Sequence, residues 1–528
     1  MSAHLPVLLV VVPMLSAPLL VLVKERRITR VMALMATAAT AVVGWALVLA
    51  AHQQTEPVRY YIGGWVPPVG IEYVVTKASA YVVAVVASVA AVGLLLGARE
   101  TRRAVRDGQE HYFYAAYLLC LAGLLGMAIT GDAFNVFVFL EISSLSTYAL
   151  IAMGKRRRSF TAAFNYLLLG SIGGTFVLIG IGLLYQVTGT LNGAEIAAHV
   201  QAAELASEAG NRTLLVAFSF TVVGLCLKLA VFPLHQWLPA AYSESPAAVA
   251  AFLSGTATKV IYFQLVRTTV VFFGAVHTFG VLRFGERVLM PLSVLGMFIG
   301  SIAAVYQTSL RRLLAYSSVA QLGYLTLALS LGTEAGVQAG LLHLGAHALT
   351  KAGLFALVAA IVASVGTDRL EGLRGLGKRM PFVSLGLVVG GASLIGVPGT
   401  AGFVSKWALL QASLDAGYAP VAVLLLLSSL VAVAYVWRMV EVMYFREPPA
   451  GWEAKTTRRD APPLLAAAIL LGASVYFGFM SQPVLDLTEN AAAQLFEEPG
   501  PLPVVPAPRH GGEHGHADQH AHADEEAP

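Results

Sequence analysis

Apolar residues run along this chain in long blocks, without the three-and-four spacing of helices that lie on a soluble core. Blocks fall near residues 4–23, 31–51, 75–97, 112–130, 132–153, 161–187, 212–238, 246–273, 288–306, 312–331, 335–365, 381–414, 419–445 and 462–480. A helix needs about 20 residues to cross a hydrocarbon core of about 30 Å, and most of these blocks supply that length. Only helices and closed barrels satisfy their backbone groups in lipid, and blocks of this length fit helices. The pattern predicts an all-α polytopic membrane protein of about fourteen spans.

The connections between blocks differ by turns. Alternate ones carry Lys24, Arg26, Arg27 and Arg30; Arg99, Arg102, Arg103 and Arg106; Lys155 to Arg158; Arg311 and Arg312; Arg369, Arg374, Lys378 and Arg379; and Arg446, Lys455, Arg458 and Arg459. The other set shows only Arg59, Lys77, Arg212, Arg283, Arg287 and Arg509. Basic loops stay on the cytoplasmic side, so the expected site is the cell inner membrane with both termini outside the cytoplasm. A missed or spurious span would scramble this alternation. Leu5 to Val23 follows no basic region and precedes no small-residue cleavage site, so a retained first helix is expected.

Two segments depart from the pattern. Leu191 to Arg212 is rich in Ala and Glu and reads as a surface helix on the outer face. From Pro499 the chain is Pro-rich and then carries His510, His514, His516, His520 and His522 among acids, a composition expected to stay disordered. A solvated tail and a metal-gathering tail both fit it.

Composition agrees with a lipid-solvated chain: 57% of the 528 residues are hydrophobic and 12% charged, with mean hydropathy +0.72, against roughly 25% charged in soluble domains. The net charge of +4 is spread by membrane side and excludes a nucleic-acid surface. Cys120 and Cys226 lie in apolar blocks with no CxxC pairing, so no iron–sulfur cluster, other cofactor or redox centre is expected on this chain.

An ionisable side chain at mid-bilayer costs about 2.5–3.5 kcal/mol on insertion scales, so each needs a reason. Glu141 lies in GDAFNVFVFLEISSLSTYAL, Lys228 in VVGLCLKLAVFPLHQW, Lys259 in AFLSGTATKVIYFQLV and Lys406 in GVPGTAGFVSKWALL. His343, His347 and Lys351 recur at i, i+4 and i+8, which sets three titratable groups on one helix face over about 12 Å. Burial favours the neutral form of a lysine or a carboxylic acid and a nearby opposite charge restores the ionised form. A row of such groups can pass a proton along. Static buried ion pairs are the alternative, although one glutamate cannot pair four lysines. His343 and His347 could also hold a metal, but no third ligand lies near them in sequence.

Two blocks are interrupted. Pro233 and Pro239 each remove a backbone donor just after Lys228, and Gly396, Pro398, Gly399 and Gly402 cluster just before Lys406. Broken membrane helices line polar cavities, and a matched pair suggests an internal repeat with ion sites at the breaks. Kinks made for packing alone are the plainer reading.

Together, GDAFNVFVFLEISSLSTYAL, YQVTGTLN, LKLAVFPLHQWLPAAYSESPAAVAAFLSGTATKVIYF, RRLLAYSSVAQLGYL and HLGAHALTKAGLF resemble the antiporter-like subunits of respiratory complex I, membrane-bound hydrogenases and Mrp cation/proton antiporters. The resemblance spans roughly residues 75–480 and is strongest to the Mrp D and complex I N-type branch. It implies three N-terminal helices in 1–111, two inverted five-helix repeats in 112–273 and 288–445, a last helix in 462–480 and a tail in 499–528.

It also implies roles: Glu141 pairs with Lys228, Lys259 is the next carrier, His343, His347 and Lys351 form a central relay, and Lys406 is the far-end carrier. The implied function is proton translocation by one subunit of a multisubunit Mrp-type antiporter, with other membrane subunits as partners and protons, Na+ or K+ as ions. The alternatives are a proton-pumping subunit of a complex I-like NADH:quinone oxidoreductase or hydrogenase, and a proton channel energising inorganic-carbon uptake. None of these places a redox site on this chain. The longest members carry a lateral amphipathic helix and an extra span, and no such extension is expected after residue 480.

Overall fold

A computed structural model of the chain describes residues 4–96, 101–102, 105–106, 108–204, 208–448 and 461–497. The His-rich tail, with Arg509, and the basic residues Arg99, Arg103, Lys455, Arg458 and Arg459 lie outside the described residues.

Two helices, α1 (Leu5–Leu22) and α2 (Arg26–His52), lead into a hairpin of β1 (Val58–Tyr61) and β2 (Glu72–Val75). Then come α3 (Lys77–Leu94), α4 (Glu110–Ile129), α5 (Ala133–Ala152), α6 (Arg157–Thr188), the short α7 (Gly193–Glu204) and α8 (Glu208–Leu229). After a break follow α9 (Trp237–Glu244), α10 (Ala247–Gly255), α11 (Ala257–Val266) and widened turns from Arg267 to Phe272. The second half has α12 (Met290–Val305), α13 (Leu310–Ser330), α14 (Glu334–Val365), the one-turn α15 (Leu376–Arg379), α16 (Pro381–Ile395), α17 (Ala401–Asp415), α18 (Ala419–Tyr444), α19 (Ala461–Phe479) and α20 (Gln482–Phe496).

Among the described residues, thirteen helices are long and apolar enough to cross a membrane. The one expected span not among them, 381–414, is present as two short helices, α16 and α17, that meet at the Gly396–Pro398–Gly399 interruption. Each half is too short to cross alone. Gly396 takes φ 94°, which closes α16, and Thr400 opens α17 by accepting from the Phe403 N–H. Other span starts are capped likewise: Asp132 accepts from Asn135, Ser309 from Arg312 and Thr333 from Gly336.

The connections sort to two ends. At one end the basic ones converge: Lys155 Nζ donates to the Arg102 carbonyl (3.0 Å), Ser159 to the Glu244 carbonyl (2.7 Å) and Arg311 to the Ser245 carbonyl (3.5 Å), while Ser309 bridges to Arg369. At the other end Asn192 bridges to Asp132 and donates to Glu72 (2.9 Å), and Gln494 of α20 accepts from the Lys77 N–H (2.7 Å). The alternation of charge along the chain is therefore an alternation of ends.

Helix α14 runs through the middle, buried along nearly its whole length, and packs against α10, α13, α17 and α19. The expected surface helix in 191–212 is α7. The hairpin and α20 were not foreseen; α20 buries Thr488, Ala491, Ala492 and Leu495 against α3 and α14 and turns Asp486, Glu489 and Asn490 outward.

Candidate functional site

Helix α8 stops one residue after Lys228. Ala230 adopts φ 63°, a left-handed turn that an L-residue enters at some strain, and Pro233 follows with no N–H to give. The carbonyls freed by the stop are taken up locally: Cys226 accepts from the Val231 N–H (3.0 Å) and Leu227 from the Trp237 indole N–H (3.0 Å). Lys228, 2% exposed, thus sits at a helix C-terminus, where the dipole favours a cation. Its ammonium donates to Ser144 Oγ (2.7 Å), Glu141 Oε1 (3.2 Å) and Tyr148 OH (3.4 Å).

These three acceptors stand at i, i+3 and i+7 on α5, so they share one helix face. Glu141 is not sealed in, its side chain being 26% exposed. Its carboxylate lies over Gly174 of α6, where a Cβ would strike Oε1.

Lys259, fully buried, lies just past an interruption absent from the sequence reading. Between α10 and α11 Thr256 leaves helical geometry (φ −125°, ψ −65°), and the Lys259 ammonium donates to the Ser254 carbonyl there and to Thr258 Oγ1 (3.3 Å). Lys351, also fully buried, donates to the Leu314 carbonyl of α13 (2.8 Å) and to Ser317 Oγ. Lys406 donates to the carbonyls of Leu394 (2.9 Å) and Ile395 (3.0 Å) at the end of α16 and to Ser429 Oγ (3.1 Å), with the Tyr324 ring 4.2 Å away. So one lysine leans on an acid and three on carbonyl and hydroxyl oxygens.

His343 and His347 stack at 6.1 Å between ring centroids. His343 Nδ1 meets Ser405 Oγ at 2.9 Å, one residue before Lys406, which ties the central helix to the broken span. His343 Nε2 and both ring nitrogens of His347 are buried with no hydrogen-bond partner on the protein.

A transmembrane family described as "NADH:quinone oxidoreductase/Mrp antiporter, TM" matches residues 130–432, a stretch that holds all of these groups. The chain belongs to this family. It is 39% identical to the NADH-quinone oxidoreductase subunit N of Desulforudis audaxviator over 88% of its own length and 90% of that protein. Similarity to the D subunit of the Na(+)/H(+) antiporter of Alkalihalophilus pseudofirmus is 30% identity over 83% of this chain and 86% of the relative. In structure it is similar to a chain of the Mrp complex from Dietzia sp. DQ12-45-1b, with TM-score 0.84, 26% identity and 94% and 98% of the two chains covered.

As a member of this family the protein is a multi-pass membrane subunit of a multisubunit complex, and the expected residues fall as follows. Glu141 and Lys228 meet directly, whereas Lys259, the histidines, Lys351 and Lys406 are set apart along the interior. Pro233 and Pro398 lie in the two expected breaks. Pro239 does not: it occupies the third position of α9, where the missing N–H would have had no helical partner anyway, so it starts a helix and breaks none. Sequence reading overlooked Ser144 and Tyr148, although their spacing from Glu141 on an apolar helix was a usable signal. The Thr256 break was signalled only by the small residues of SGTAT.

Proposed function

We propose that this chain carries protons through the membrane as the antiporter-like subunit of a multisubunit Mrp-type monovalent cation/proton antiporter. The path runs Glu141, Lys228, Lys259, the group His343, His347 and Lys351, then Lys406. The observation that carries this reading is the Lys228 ammonium, shared between an ionisable acceptor, Glu141, and two neutral ones, Ser144 and Tyr148. A cation so placed can change partner without leaving its pocket.

The remaining lysines rest on neutral oxygens, so each can gain or lose its proton without stranding a buried anion. Buried imidazole nitrogens such as those of His347 are ordinarily satisfied by internal water, which can bridge groups too far apart to touch. On this reading 112–273 and 288–445 are inverted five-helix repeats, supported by the breaks beside Lys228 and Lys406. The basic end is cytoplasmic, the membrane is the cell inner membrane, the termini lie outside and the driven ion is Na+ or K+.

A second reading, the proton-pumping subunit of a complex I-like oxidoreductase, is favoured by the 39% identity to an N-type subunit of that enzyme. Purifying the native complex and identifying its other subunits separates the two: cluster-binding hydrophilic subunits support the oxidoreductase. In either assembly E141Q and K228A should nearly abolish proton transport per assembled complex, measured in everted vesicles, while E141D keeps part of it. Full activity per complex in both E141Q and K228A would remove the path from these residues.

A further inference from the structure

The basic end of the protein holds a cavity of about 280 Å3 that the proton path does not use. That is well above the space a single water needs and is enough for a small polar group. Lys155, Arg156 and Ser159 line it from the start of α6, Glu244 and Ser245 from the end of α9, Pro246 and Ala247 from the start of α10, and Arg311 from α13.

Three features bear on what it would hold. Three of its lining residues are basic, Lys155, Arg156 and Arg311, against one acidic residue, Glu244. The nine-residue α10 begins at the cavity wall with Pro246 as its cap, and no side chain accepts from its first N–H groups, so the positive end of the helix dipole adds to the basic charge. Ser245, one of the lining residues, is 1% exposed, and its hydroxyl is buried with no hydrogen-bond partner. A hydroxyl in that state calls for a polar occupant.

We propose that this cavity binds a phosphate ester, the headgroup of a membrane phospholipid. The phosphate would sit among Arg156, Lys155, Arg311, the α10 N-terminus and the Ser245 hydroxyl, in the manner of anions at helix N-termini. Glu244, which a bare anion would avoid, then has a use: it accepts from the ammonium or hydroxyl that a headgroup carries beyond its phosphate. Because the cavity lies at the end where the basic connections meet, it is at the depth of headgroups in a membrane-spanning chain.

The test uses the purified native complex in detergent, scored by native mass spectrometry and by thermal stability on adding phosphatidylethanolamine, phosphatidylglycerol or inorganic phosphate. One lipid should be retained by the wild-type complex and bound at least about tenfold more weakly by the K155A/R156A double variant. E244Q should weaken the ethanolamine lipid more than the glycerol lipid. S245V, which removes the unpaired hydroxyl without touching a charge, should give the same loss and covers the case in which the double variant does not assemble. Protection by inorganic phosphate equal to that by lipid, lost in the variants, would overturn the lipid source. Equal lipid binding in wild type, K155A/R156A and S245V would overturn the site itself.

Discussion

The Lys228 ammonium lies nearer the Ser144 hydroxyl, at 2.7 Å, than the Glu141 carboxylate, at 3.2 Å. A hydrogen bond to a charged group contributes about 1.5–3 kcal/mol, so the neutral acceptor competes seriously with the acid. Ser144→Ala should bias Lys228 towards Glu141 by about tenfold or more in equilibrium, on the same scale. Proton transport per assembled complex should slow, with the amount of complex unchanged. An unaltered rate would show that Ser144 only fills space.

Gly174 offers a steric probe of the same pair that leaves every ionisable group in place. Gly174→Ala puts a methyl against Glu141 Oε1 and should push the carboxylate from Lys228. Transport should drop several-fold. Gly182→Ala on the same helix, where an added Cβ meets nothing within 4 Å, should keep the wild-type rate. Equal rates in the two variants would mean that the placement of Glu141 is not limiting.

Arg267 is a buried cation of another kind. Its guanidinium donates to the Thr130 carbonyl (2.7 Å) and to those of Met127 (3.4 Å) and Ala128 (3.5 Å), closing the C-terminus of α4. Arg267→Met should leave those carbonyls short of a donor at about 1–3 kcal/mol in total, the cost of a buried unsatisfied group. The assembled complex should melt at a lower temperature, and the transport rate of what remains should be kept. A transport defect without a stability defect would assign Arg267 to the path instead.

Orientation can be tested without any transport assay. A phosphatase fused after Ala523 should be active, and a cytoplasmic reporter inserted in the loop at residues 155–158 should be active too. The reverse pattern would invert the protein in the membrane.

The spans were legible because lipid enforces one rule, apolar length, on every helix, and the loops reported the ends through charge alone. The two breaks beside Lys228 and Lys406 were legible because proline and glycine state their backbone limits outright. Thr256 could not be read that way. Nothing forbids threonine in a helix, so no local rule marks its departure from helical geometry. The carbonyl ligands of Lys259, Lys351 and Lys406 were hidden for a related reason: every residue carries a carbonyl, so only the fold decides which one is offered. Likewise the cavity at the basic end joins residues from 154 to 363, a set that no local pattern links.

The reliance of those three lysines on carbonyl dipoles has an electrical consequence. A dipole does not neutralise a charge, so loading any one of them adds a full positive unit to the interior, and in a medium of low dielectric its neighbours feel that unit over many ångströms. Filling all the seats at once is then prohibitive. On the proposed path the row would run as a queue with gaps, in which an arrival at one seat drives the departure from the next, and the gap travels against the flow.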